Sequence, residues 1–94
     1  MPASLLSQAQ AAAGQLAFMA QIGHGMRDKR AVTTLHTAQA IAAGHITDAT
    51  TIEITLDDLG AFALMGAALR QGAAVERAVA NADQVRRQLR GVLR

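Results

Sequence analysis

A mainly α-helical fold follows from three observations. Apolar residues recur at spacings of three and four, alanine is the commonest residue, and glycines stand where helices should stop. The chain reads as a single helical domain over residues 1–94, with three or four packed helices and one short strand or hairpin near residues 46–56. The same reading predicts an oligomer.

The first helix is predicted over Ser4–Ile22. Leu5, Ala9, Ala12, Leu16 and Met19 fall on one stripe, while Phe18 and Ile22 lie about 100° or more off it. The segment has a second apolar surface, with Gln8, Gln10, Gln15 and Gln21 distributed around it. Either the rest of the chain buries both surfaces, or one of them meets another protein. Gly23-His24-Gly25 should end this helix. A second helix should start near Arg27-Asp28-Lys29-Arg30, with Asp28 as its cap. Its inner face would be Val32, Leu35, Ala38 and Ala42, and Gly44 would close it.

Thr51-Ile52-Glu53-Ile54-Thr55-Leu56 alternates apolar with polar and is rich in β-branched residues, the pattern of a half-buried strand. Its only local mate is Ile46-Thr47, so a second copy of the strand is the simplest partner for its open edge. Thr55 or Asp57 should cap a third helix from Asp58 to about Gln71, apolar on nearly all sides through Leu59, Phe62, Leu64, Met65 and Leu69. Gly72 marks a break. From Ala73, the residues Val75, Ala78, Ala82, Val85, Leu89 and Val92 keep heptad-like spacing, with Glu76, Arg77, Asp83, Arg86, Arg87 and Arg90 outside the seam. Ordinary amphipathic packing accounts for that pattern, since a coiled coil usually runs longer.

Composition narrows the function. Apolar residues make up 51% of the chain, but Phe18 and Phe62 are the only aromatics, so the core should be thin. Alanine brings little transfer energy, at about 0.8 kcal/mol per buried CH₂, yet lets helix backbones approach closely. The absence of cysteine excludes disulfides and thiolate metal sites. Residues 1–26 carry no charged side chain, which raises the question of a membrane span. The glutamines answer it, because each unpaired amide in hydrocarbon costs roughly 2–7 kcal/mol. Leu59–Leu69 is too short to span. With no basic opening of a secretory signal, the reading is a cytoplasmic protein without a membrane partner.

No constellation suits catalysis. His24, His36 and His45 are separated by 12 and 9 residues, unlike the i, i+4 spacing that aims two imidazoles at one ion. Asp57-Asp58 is the one adjacent acidic pair, placed where a helix N-terminus favours negative charge. Ser4 and Ser7 have no neighbouring base, and no Gly-rich phosphate loop occurs. The expectation is a non-enzyme without metal or cofactor.

Arg86, Arg87, Arg90 and Arg94 share one sector of the last helix and could grip phosphates. Asp83 is placed to pair with Arg86 or Arg87, which favours a solvated face instead. The order strand, helix, Gly72, helix resembles ribbon–helix–helix repressors. The side chains that would read bases there are Thr51, Glu53 and Thr55, and a carboxylate is repelled by phosphate. A helix-turn-helix would need a turn at Asn81-Ala82-Asp83, where the apolar register instead runs on unbroken.

The sequence therefore reads as a small bacterial or phage interaction module, an adaptor, assembly subunit or inhibitor, that binds itself and another protein. The interaction face assigned to it is Phe18, Ile22, Ile52, Ile54, Val85 and Leu89. The alternative is a small DNA-binding regulator using the arginine face.

Overall fold

The computed structural model describes the backbone of residues 2–24, 29–70 and 72–93, and their side chains except 20–24, 31, 63–70 and 72. Four helices follow in order: α1 (Ala3–His24), α2 (Lys29–Ala42), α3 (Ala49–Arg70) and α4 (Gly72–Leu93). The molecule measures 36 × 25 × 19 Å. A 22-residue helix is about 33 Å long, so the long axis is that of the helices themselves. α1 and α3 meet each other and both remaining helices, whereas α2 and α4 make no contact among the described residues. The bundle is thus a central α1–α3 pair with α2 and α4 on opposite sides.

Directions follow from which residues meet. A Cβ on Gly14 would lie 3.6 Å from Ala42, and one on Gly44 would lie 3.7 Å from Gln10, so α1 and α2 run antiparallel. Glu53 meets Arg86 and Arg90, while Gly60 faces Val79, so α3 and α4 are antiparallel as well.

The core follows the 3–4 spacings with two departures: Ala42, expected on the inner face of α2, is exposed while its neighbour Ile41 is buried, and Val92, expected in the α4 seam, is 43% exposed. Leu5, Ala9, Ala12 and Leu16 of α1 are buried, as are Leu35, Ala38 and Ile41 of α2. α3 contributes Ile52, Leu56, Leu59 and Phe62; α4 contributes Val75, Ala78, Ala82, Val85 and Leu89. Among the described residues, every buried side-chain nitrogen and oxygen has a hydrogen-bond partner.

Residues 51–56 are the main correction. They lie within the first two turns of α3, and the described residues contain no strand. The alternation was real but secondary, because Ile52, Leu56 and Leu59 also obey helical spacing and are the side chains that end up buried. Asp48, three residues ahead of Thr51, caps the helix: its carboxylate accepts from the Thr51 N–H at 2.9 Å. Hydrogen bonds from Thr51 hold the Asp48 carboxyl below its ordinary pKa. The threonines fit a helix by donating their hydroxyls back one turn, Thr55 to the Thr51 carbonyl at 2.7 Å and Thr37 to the Thr33 carbonyl at 3.1 Å. With the strand goes the open edge that had called for a second copy.

Other boundaries differ less. α1 continues through Gly23 to His24, past the predicted stop at Ile22. The proposed cap Asp28 lies outside the described residues. Gly44 closes α2 as expected, with a positive φ of 85°. The N–H of Gly44 reaches the Ile41 carbonyl and that of His45 reaches the Ala40 carbonyl, the paired bonds of a Schellman ending. α4 is unbroken through Asn81-Ala82-Asp83, so there is no helix-turn-helix at that place.

Candidate interaction surfaces

Two exterior regions differ from an ordinary solvated helix face. The first is the seam between α3 and α4. A single oxygen of Glu53, Oε1, accepts from Arg86 Nε at 3.3 Å, Arg86 Nη2 at 3.2 Å and Arg90 Nε at 3.0 Å. Arg86 Nη1 donates to Asp83 Oδ1 at 3.0 Å, and its Nη2 lies 3.2 Å from Asp57 Oδ1. The Arg86 and Glu53 side chains are only 14% and 15% exposed, so this is a half-desolvated network. Burial is the largest single influence on Arg86 and acts to lower its pKa. The Asp83 hydrogen bond and the charges of Asp57 and Glu53 together outweigh it, and the guanidinium is held above its ordinary value. Beside it lies a recess of about 220 Å³ lined by Asp57, Gly60, Ala61, Val79, Asp83 and Arg86.

The arginine face of the sequence is therefore divided. Arg86 is folded into the seam and Arg90 is tied to Glu53 while remaining partly exposed. Arg87 is exposed and makes no ion pair among the described residues, and Arg94 lies outside them. Four guanidiniums free to converge on phosphate are not what this helix presents. Glu53 and Asp57, the acceptors that divide the set, were missed as partners because residues 51–56 read as a strand. On a helix they stand at i and i+4, on one face toward α4.

The second region is the outer face of α1. Phe18 is 64% exposed there, on the side opposite the Leu5–Leu16 stripe. So the chain does not bury the second apolar surface of this helix at Phe18. The side chain of Ile22, its proposed companion, lies outside the described residues. Ser4, Ser7, Ala11 and Gln15 share the outer face with Phe18, and all are exposed. No charged group stands among them.

The remaining residues of the predicted interaction face separate cleanly. Ile52, Val85 and Leu89 belong to the core of the single chain, since the helical register turns them inward. Ile54, 54% exposed, points away from that core, and Val92 and Leu93 are partly exposed in the last turn of α4. Among the described residues no group of three or more His, Cys, Asp or Glu is arranged to hold a metal ion, and no helix is long and apolar enough to cross a membrane.

Comparison with protein-family models, with curated proteins and with solved structures found no significant match.

Proposed function

We propose that the chain is a small interaction module, an adaptor, assembly subunit or inhibitor, which acts by binding polypeptides through helix surface rather than by catalysis. One observation carries the reading: Phe18 stands mostly in solvent on a charge-free face of a helix whose Leu5 and Leu16 are buried and whose Leu6 and Met19 are partly buried against the core. Scattered exposed apolar residues are ordinary. An aromatic ring is different in degree, because it offers a large, rigid contact area at low entropic cost when a partner covers it. Leu16, two positions earlier on the opposite side of the helix, is fully buried, so the contrast lies between the two faces of α1.

Replacing Phe18 with a photoreactive phenylalanine analogue tests the proposal in the native host. Irradiation should give an adduct of discrete higher mass, whether with a copy of the chain or with another polypeptide. The same analogue at Arg87, on the outer face of α4, should give none. No adduct at position 18, or equal labelling at the two positions, would count against an interaction surface on α1.

A further inference from the structure

We infer that the recess between α3 and α4 binds one organic cation, an alkylguanidinium or alkylammonium group the size of an arginine or lysine side chain. This site is separate from the outer face of α1, and neither depends on the other. Three properties of the recess define its occupant.

The first is a hollow that the packing does not require. Its floor is Gly60 and Ala61 of α3, set against Val79 of α4. A Cβ on Gly60 would lie 3.7 Å from Val79 Cγ1, an ordinary contact, so α3 and α4 could meet as they do with alanine at that position. Alanine would also suit a helix interior better. Glycine followed by alanine instead keeps the hollow open above an apolar floor.

The second is an unmatched charge at the rim. Glu53, Asp57 and Asp83 bring three negative charges to the network, and Arg86 and Arg90 bring two positive ones. Arg86 is already committed, through Nε and Nη2 to Glu53, Nη2 to Asp57 and Nη1 to Asp83. Asp57 and Asp83 each meet it through Oδ1, and their Oδ2 atoms make no ion pair among the described residues. Both of these carboxylates reach solvent, whereas Glu53 is mostly buried in the seam. The rim therefore offers acceptors for a donor that the chain does not supply. An anion would be repelled there, and a neutral guest would leave the charge unmatched.

The third is size and kind. At about 220 Å³ the recess is smaller than the roughly 300–1,000 Å³ that takes a drug-sized ligand, and suits a single side chain. A bare metal ion fits poorly. No group of three or more His, Cys, Asp or Glu among the described residues is arranged to hold one, and the Arg86 guanidinium shares the lining. An alkyl cation meets both parts of the site: its N–H groups donate to Asp57 and Asp83, and its methylenes cover Gly60, Ala61 and Val79. Ion pairs at an exposed rim are weak, so the expected affinity is on the order of millimolar.

Titration at constant ionic strength, followed by amide chemical shifts in nuclear magnetic resonance, tests this directly. The probes are n-butylguanidinium and the capped peptide acetyl-Ala-Arg-Ala-amide, with n-butylurea as the neutral match in shape. Both cations should give saturable shifts confined to residues 57–61 and 79–86, and butylurea should give none. Asp83→Asn, which keeps an oxygen for Arg86, should weaken binding at least about threefold. Ala61→Leu changes no charge but fills the recess from an exposed helix position, and should abolish binding while the helical circular-dichroism spectrum stays intact. Glu76→Gln, an exposed acid outside the recess, should leave binding unchanged. Tighter binding of the peptide assigns the cation to a partner polypeptide, and equal binding assigns it to a free amine or guanidine; either supports the site. The proposal is overturned if neither cation gives saturable shifts, if butylurea matches them, or if binding persists in Ala61→Leu. It is overturned equally if Glu76→Gln weakens binding as much as Asp83→Asn, because general attraction to acidic surface would then explain it.

Discussion

α1 and α4 are the same length and bury the same kind of stripe, yet they treat their outer faces in opposite ways. Inside, Leu16 and Leu89 are both fully buried among alanines at 3–4 spacing. Outside, α4 bears Glu76, Arg77, Asp83, Arg86, Arg87 and Arg90, and turns part of that charge back onto α3. α1 bears no charge at all and leaves an aromatic ring in water. The difference teaches that richness in functional groups is a poor guide to a free surface. The chemically busy helix has spent much of its chemistry on its own neighbour, while the bland one has nothing within the chain to engage.

The inner stripes should prove equivalent when broken. Leu16→Ala and Leu89→Ala each remove a fully buried branched side chain from a thin core, and each is expected to cost roughly 2–5 kcal/mol. Against a domain stability of about 5–15 kcal/mol, either loss is large. Urea unfolding would measure both. A cost below about 1 kcal/mol for one of them would mean that its stripe is loosely packed and that the likeness between the two helices is superficial.

The outer faces should then separate by electrostatics. Arg86→Ala removes two of the three donors to Glu53 Oε1 and leaves a carboxylate that is mostly out of water. The expected cost is roughly 1–3 kcal/mol, the scale of hydrogen bonds to a charged group. Arg87→Ala, exposed and without an ion pair among the described residues, should stay within about 0.5 kcal/mol. Equal effects would show that the seam contributes no more than a solvated face. The two variants thereby measure how much of α4's charge is structural.

How far the sequence could be read depended on which period it used. Most of the inner faces of α1 and α4 was legible because alanine and leucine at 3–4 spacing fit a helix; that of α2 was legible only in part, since Ile41 is buried in place of Ala42; and Gly44 was legible because its positive φ suits glycine. The turn at 51–56 was misread because threonine and isoleucine favour strands when taken alone. Asp48 capping and the spacing of Ile52, Leu56 and Leu59 outweighed that preference once the rest of the bundle offered a surface to pack on. That one error propagated: it hid Glu53 and Asp57 as partners for Arg86, left the arginine face looking free, and supplied a false reason for a second copy. Phe18 was legible as lying off the main stripe. Whether its side was covered required knowing where α2 and α4 sit around α1, which no local pattern contains.

The smallest effect sharpens the comparison at the level of backbone packing. Gly14 in α1 and Gly91 in α4 are both inside helices, where glycine costs roughly 0.5–1 kcal/mol relative to alanine. A Cβ on Gly91 would meet nothing within 4 Å, so Gly91→Ala should stabilise by that propensity alone. A Cβ on Gly14 would rest 3.6 Å from Ala42 Cβ, an ordinary contact distance, so Gly14→Ala should gain the same propensity plus some packing against α2. Gly44→Ala provides the opposite sign, because its φ of 85° is strained for any residue with a Cβ. In a domain of this size 1 kcal/mol moves the melting temperature by about 4–8 °C, so thermal unfolding resolves all three. Should Gly14→Ala destabilise while Gly91→Ala stabilises, α2 must press more closely on α1 than ordinary contact allows. The small residues of α1 would then serve the fold on their inner side, and the free exterior of this helix would begin only at the strip running from Ser4 to Phe18.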